Sequence, residues 1–308
     1  MPDEPVRCLV GPTGSGKTDV GIAAARRTRG EVVCCDAYTV YRGMPILTAA
    51  PSAPSDVPHH LLGMLDVYDT YDAARFLTDA DHVIEGIRVR GHTPWMVGGT
   101  ALYLRCWLKG FGPGVPRDEA YREALKARVA REGREALHAE LARADPERAA
   151  ALHANDTRRL VRALEIWELT GQPPSRFRGQ FGGVRADLER VVFVVERERR
   201  DMDARIDARV ERMIAAGWVE ECRRLRADPR GISPEAAQAI GYCELLEWLE
   251  AGEPEPLSEV VTRVQTATRR FARRQLTWLR RLEGTVQRLQ VGAGEEPLIH
   301  LERVLESL

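Results

Sequence analysis

The sequence predicts an α/β fold, a P-loop NTPase-like parallel sheet flanked by helices and carrying a helical insert domain. Three observations predict it. An apolar run, Val6 to Val10, leads into a glycine-rich octet and then into a helix-spaced segment, Asp19 to Arg29. Short apolar runs recur at Glu31 to Cys35, Trp95 to Val97 and Val191 to Val195, with helical stretches between them. Between about Pro113 and Gly183 the strand-like runs vanish, and charged helical stretches such as Asp118 to Arg131 and Asp156 to Thr170 take over. The expected division is a core of residues 1–112 and 184–308 with an insert of residues 113–183.

The octet is Gly11-Pro12-Thr13-Gly14-Ser15-Gly16-Lys17-Thr18, a full match to GxxxxGK[ST] between a strand and a helix. Glycines let the chain turn so that successive N–H groups point inward, and the helix start adds the positive end of its dipole. Lys17 contributes a point charge, and the Thr18 hydroxyl is the expected ligand for Mg²⁺. The pattern marks phosphate binding without naming the reaction, since kinases, NTPases and other transferases of phosphorylated substrates share it.

The second strand ends at Asp36, where open parallel sheets build their sites. An acid there suits a magnesium ligand, a general base or a helix N-cap, and the position alone does not choose. The third strand lies between Thr93-Pro94 and Gly98-Gly99, and Thr100 follows it in a position to cap a helix. After the fourth strand a helix is expected from Arg200 to Ala227, broken only at Gly217. Within it Arg205 and Arg209 stand four apart and share a face. A final helix is expected from about Ser258, as N-cap, to Leu282, with Gly284 closing it. Thr262 to Arg281 holds seven arginines and no acid, interleaved with Phe271 and Trp278. Such a stripe suits nucleic-acid phosphates, with the aromatic residues facing either the ligand or the core.

Composition narrows the class. A net charge of −1 over 308 residues excludes a chain that is basic throughout, so any nucleic-acid contact must be local. The six cysteines form no CxxC pair and no zinc spacing, as expected of reduced thiols. No signal-peptide pattern precedes Gly11 and no apolar run approaches 18 residues, so the expectation is a cytoplasmic protein with no membrane contact.

Asp36-Ala-Tyr-Thr-Val-Tyr-Arg-Gly-Met resembles the segment after the second strand of tRNA dimethylallyltransferases, where Asp-Ser-x-Gln-Val-Tyr is common. Further matches follow in order at Val57-Pro-His-His-Leu61, Val97-Gly-Gly-Thr-Ala-Leu-Tyr103, Asn155-Asp156 and Arg162-Ala-Leu-Glu-Ile166. They continue at Leu169-Thr-Gly-Gln-Pro173, Ala239-Ile-Gly-Tyr242 and Thr268 to Arg280. The resemblance implies transfer of a dimethylallyl group from dimethylallyl pyrophosphate to N6 of the adenine at tRNA position 37, 3′ of the anticodon. The tRNAs would be those reading codons that begin with U.

The resemblance makes Asp36 the base and Thr100 a partner of the adenine amine. It assigns the pyrophosphate to Gly11–Thr18 and Arg209, with Mg²⁺ at Thr18. It places Ala37, Tyr38, Thr39, Arg122, Thr157, Arg158, Arg159, Leu160 and Val161 on the tRNA anticodon stem-loop, with Arg270 and Arg274 reading phosphates from the basic helix. A monomer is expected. Ala37, Thr39, Ala50 and Cys243 depart from the usual Ser, Gln, Lys and basic residue, and each removes a polar or charged contact. A free-nucleotide isopentenyltransferase and a P-loop kinase or NTPase are the alternatives.

Overall fold

The computed structural model describes residues 5–48, 56–110, 117–177, 185, 189–282, 286–292, 294–295 and 299–306. Its centre is a six-stranded parallel sheet of β1 (Val6–Val10), β2 (Gly30–Cys35), β3 (His59–His60), β4 (Thr93–Gly98), β5 (Arg190–Arg197) and β6 (Val286–Val291), ordered β3-β2-β4-β1-β5-β6. β1 and β4 lie inside the sheet and are buried along almost their whole length, with only the partly buried Arg7 interrupting the apolar run of β1. Val10 pairs with Gly98 and with Val194, and Cys35 also pairs with Gly98. In this register the chain leaves β1 at Gly11, β2 at Asp36 and β4 at Gly99, all at one edge of the sheet.

Gly98 is required by that register: a Cβ there would stand 2.1 Å from the Cys35 carbonyl oxygen. The two strands missing from the sequence reading are the outer ones. β3 has only two residues, and β6 is a half-exposed edge strand whose polar residues break the apolar run.

Helix α1 (Lys17–Arg27) starts directly after Gly16, which takes φ 86°, so the helix begins within the octet and not at Asp19. The short α2 (Pro45–Thr48) precedes α3 (Ala73–Val89), which Asp72 caps by accepting hydrogen bonds from the Ala74 and Arg75 N–H groups. Helix α4 runs over Ala101–Lys109.

The contact pattern divides the chain into two compact units, one of Met1–Arg105 with Ala186–Leu308 and one of Cys106–Arg185. The second begins inside α4, whereas Pro113, the expected boundary, and Gly183 lie outside the described residues. It holds α5 (Glu119–Glu132), α6 (Arg134–Ala144), α7 (Pro146–Ala150) and α8 (Thr157–Thr170). Asp118, Asp145 and Asp156 cap α5, α7 and α8 in turn. Leu125, Leu137, Leu141, Leu160 and Leu164 form its core.

In the sheet unit, the expected long helix is two, α9 (Arg199–Ala215) and α10 (Trp218–Ala227), separated by Gly217 at φ 94°. Then follow α11 (Tyr242–Glu250), α12 (Leu257–Leu279) and α13 (Ile299–Glu306). Ser258 does not cap α12: it lies within the first turn, Pro256 occupies the N-cap, and the Ser258 carbonyl accepts the Thr262 hydroxyl. Gly284 lies outside the described residues. The main core lies on one face of the sheet, where Leu9, Trp95, Val97, Phe193 and Val195 pack with Val20 and Ala24 of α1.

Candidate active site

The octet wraps the start of α1. Gly14 takes φ 87°, and a Cβ there would press on Ile206 and Met202 of α9, so both conformation and packing call for glycine. The N–H groups of Gly14, Gly16, Lys17 and Thr18 have no protein acceptor among the described residues, and no side chain caps the helix. Together they form a donor cradle at a positive helix end. Two other N–H groups of the loop are engaged by the protein: Ser15 donates to the Pro12 carbonyl at 3.2 Å and Thr13 donates to Gln275 Oε1 at 2.9 Å. The fully buried Ser15 hydroxyl lies where a Gly11 Cβ would otherwise be, and it has no hydrogen-bond partner among the described residues.

Side chains also hold the carbonyl groups of the loop. Lys17 Nζ donates to Pro12 at 3.4 Å, Arg205 Nε to Gly14 at 3.1 Å, and Arg197 Nε to Ser15 at 3.3 Å. Carbonyl oxygens engaged by these cations repel an anion less, which leaves the loop with an excess of donors. Arg197 is itself fixed by Asp201 at 2.6 Å.

Lys17, Asp36 and Arg209 form one electrostatic group. The Lys17 residue is partly exposed, but its ammonium lies deep in protein; burial pushes its pKa down to about 8, with Arg209 adding to the fall and Asp36 opposing it. Burial likewise lowers Arg209, against the raising influence of Asp36. One carboxylate coupled to two desolvated cations leaves the site short of negative charge, which an anionic ligand would supply.

Asp36 Oδ1 accepts the Tyr38 N–H at 2.9 Å in an Asx turn, leaving the other oxygen for a proton. Thr100 faces this turn. Its Oγ1 accepts the Ala37 N–H at 3.0 Å, and its own N–H donates to Cys35 at 3.3 Å. The hydroxyl therefore ties the loops after β2 and β4 together instead of capping α4, and it keeps a proton to donate. An apolar crevice beside it is lined by Val10, Cys35, Gly98, Leu104 and Leu279.

Gln275 was missed by the sequence reading. It lies on the buried face of α12 with Val264, Ala272 and Leu279, and its Nε2 donates to the Gly99 carbonyl at 2.7 Å. The available signal was a polar residue in the apolar phase of an amphipathic helix.

The outer face of α12 carries Arg270, Arg273 and Arg274, all exposed and unpaired with any carboxylate among the described residues. Arg274 stacks over the half-buried Phe271, with its guanidinium carbon 5.7 Å from the ring centre. Arg263 and Arg269 are neutralised by Glu255 and Asp207, so the stripe is narrower than the arginine count suggests.

Several expected tRNA residues stand elsewhere. Ala37, Tyr38 and Thr39 are half-exposed beside Asp36, and the Tyr38 hydroxyl donates to the Gln238 carbonyl at 3.2 Å. In the helical unit Arg158 and Arg159 are exposed and Thr157 half-exposed at the start of α8. Leu160 and Val161 are corrected: they point into the core of that unit, where apolar burial holds them, and cannot present side chains to RNA. Arg122 forks onto the fully buried Glu165 at 2.9 and 2.8 Å. Burial alone would raise the Glu165 carboxyl, but Arg122 and Arg162 outweigh it and hold it below the usual range. The Arg122 guanidinium is therefore committed to that pair. Cys243 donates to the Ala237 carbonyl at 2.6 Å, and Ala50 lies outside the described residues.

Comparison with known proteins decides the family. The model of the IPP transferase family matches residues 39–282. The chain belongs to this family. A tRNA dimethylallyltransferase of Methylibium petroleiphilum is 44% identical over 280 residues, covering 89% of this chain and 85% of the relative. One from Kineococcus radiotolerans is 42% identical, covering 100% and 98%. Among solved structures, the tRNA isopentenylpyrophosphate transferase of Bacillus halodurans matches with a TM-score of 0.70 and 34% identity, covering 99% of this chain and 96% of that one. A eukaryotic dimethylallyltransferase acting on tRNA matches with a TM-score of 0.79 and 26% identity, covering 99% and 80%. An IPP transferase with this sheet order and an intact loop has the P-loop-like fold expected from the sequence.

Proposed function

We propose that this chain transfers the dimethylallyl group of dimethylallyl pyrophosphate to N6 of the adenine 3′ of the anticodon, in tRNAs that read codons beginning with U. The observation that carries the reading is that the octet, Asp36 and Thr100 follow β1, β2 and β4 at one edge of the sheet, with Thr100 bonded to the residue next to Asp36 and with Asp36 coupled electrostatically to Lys17 and Arg209. A base and an anion cradle then meet at one sheet edge, as alkyl transfer from a pyrophosphate requires. Membership of the IPP transferase family and the names of its relatives support the substrate pair.

In the reaction, the bond between C1 of the dimethylallyl group and the pyrophosphate oxygen breaks, and the pyrophosphate leaves with the electron pair. Lys17, Arg209 and the free N–H groups of the octet stabilise the charge that grows on it. N6 of the adenine bonds to C1, and its proton passes to the free oxygen of Asp36. Thr100 donates toward the adenine while its accepted bond from Ala37 holds the base loop. Thr18, exposed at the start of α1, would offer its hydroxyl to Mg²⁺. Among the described residues no cluster of His, Cys, Asp and Glu could hold an ion. Bound there, Mg²⁺ would supply further charge neutralisation to the leaving group.

The exposed arginines of α12 and the start of α8 would meet tRNA phosphates. No described helix is long and apolar enough to cross a membrane; the proposal is that the chain acts on tRNA in the cytoplasm, as a monomer. Incubation of the purified protein with dimethylallyl pyrophosphate, Mg²⁺ and unmodified tRNA tests it. Isopentenylated adenine in the nucleoside digest is expected. Labelling of free AMP in preference to tRNA, or ATP turnover without tRNA, would contradict it.

A further inference from the structure

We propose that Gln275 is a positioning residue that locks the phosphate loop to the turn carrying Thr100, so that leaving group and acceptor are held in register. The inference deepens the reading above and rests on it for the identity of the two substrates. Gln275 is 4% exposed, and both ends of its amide are engaged by backbone groups far away in sequence. Its oxygen accepts from Thr13 N–H at 2.9 Å and its nitrogen donates to the Gly99 carbonyl at 2.7 Å. Donor meets acceptor at each end, so only one orientation of the amide satisfies both.

The location makes this more than a satisfied core polar group. A Cβ on Gly99 would lie 2.8 Å from the Gln275 amide nitrogen and 3.4 Å from Lys17 Cε, so the glycine leaves room for the strut. Gly99 adjoins Thr100, whose hydroxyl holds Ala37 next to Asp36. One bonded path thus runs from Thr13 through Gln275 to Gly99, and from Thr100 to the base. By drawing the Thr13 N–H aside, Gln275 also sets which N–H groups of the loop face the ligand. A hydrophobic residue would fill this face of α12 equally well, so burying an amide here needs a reason beyond packing.

Gln275→Met keeps the length and removes both bonds; Gln275→Glu keeps the acceptor and opposes the Gly99 carbonyl with a second oxygen. Each variant should bind inorganic pyrophosphate several-fold more weakly and lose about 10- to 100-fold in kcat on tRNA. The Kd for tRNA should stay at the wild-type value, because the exposed arginines of α12 are untouched. A purely structural role would lower the unfolding midpoint and leave kcat of the folded fraction intact. Pyrophosphate binding and kcat both within twofold of wild type would overturn the proposal.

Should the variants fail to fold, amide hydrogen exchange on the wild type decides. Thr13 N–H should exchange far more slowly than the N–H groups of Gly14 and Gly16, and equal rates would overturn the coupling. The exchange and pyrophosphate measurements need no tRNA, so they separate failure of the strut from failure of the proposed reaction, which would appear as wild-type inactivity.

Discussion

Thr100 Oγ1 accepts the backbone N–H of Ala37 at 3.0 Å, so the hydroxyl that ends one strand fixes the residue next to the acid that ends another. Thr100→Val keeps the shape and deletes the acceptor. One buried hydrogen bond of about 1 to 1.5 kcal/mol corresponds to roughly tenfold. A kcat lower by about that factor is expected, with tRNA affinity unchanged, while Thr100→Ser should retain most of the rate. Steady-state kinetics on unmodified tRNA check both.

Lys17 gives the site a pH dependence of definite sign. Burial lowers its pKa to about 8 in the free protein, and an anion on the loop favours the charged form. Binding above that pH therefore requires proton uptake. The Kd for dimethylallyl pyrophosphate should rise with pH above about 8, by up to tenfold per unit. Lys17→Met should bind weakly and without that limb. Calorimetric titration across pH 7 to 10 reads the slope.

The basic helix predicts salt dependence. Arg270 and Arg274 are exposed and unpaired among the described residues, whereas Arg263 and Arg269 already have carboxylate partners. Replacing either of the first two by alanine should weaken tRNA binding and reduce the slope of log K against log salt by roughly one. Arg263→Ala should change the slope little. Filter binding at several ionic strengths distinguishes the two classes.

At the opposite end of the sheet, Glu31 is 2% exposed and takes two hydrogen bonds from Arg90, at 2.9 and 2.7 Å. His60 and His92 also contact it, at 2.5 and 2.6 Å. Arg90 foremost, against burial and with help from the two histidines, lowers its pKa from 4.5 to about 2. A carboxylate lowered in the folded state contributes stability that is full above its unfolded pKa and is lost as pH falls through the folded one. The contribution is of the order of 3 kcal/mol, fully present above about pH 4.5 and lost toward pH 2. Denaturation of Glu31→Gln and wild type should differ at neutral pH and converge near pH 2.

What was legible in the sequence depended on how local its cause was. The loop from Gly11 to Thr18 and the buried strands could be read directly, because consecutive residues create them. Asp36, Thr100, Lys17 and Arg209 were named from motifs; the parallel register that aligns Val10, Cys35 and Gly98 accounts for the meeting of the first three, while Arg209 comes from α9. Gln275 was not legible, since its partners Thr13 and Gly99 lie 262 and 176 residues away. Leu160 and Val161 were misassigned because a motif spanning the start of a helix includes both its outer and its core-facing positions. The edge strand β6 escaped notice because only one of its faces is apolar.

In the proposed reaction the loop at Gly11 to Thr18 holds a leaving pyrophosphate while Asp36 takes the proton from the adenine amine. Counting pyrophosphate released against isopentenylated adenine formed, in wild type and in Asp36→Ala, tests it most directly. One pyrophosphate per modified adenine is expected from the wild type. Asp36→Ala should show about 10²- to 10⁴-fold slower formation of both with tRNA binding retained. Orthophosphate released from ATP without modified adenine, or an Asp36→Ala enzyme as fast as wild type, would contradict the account.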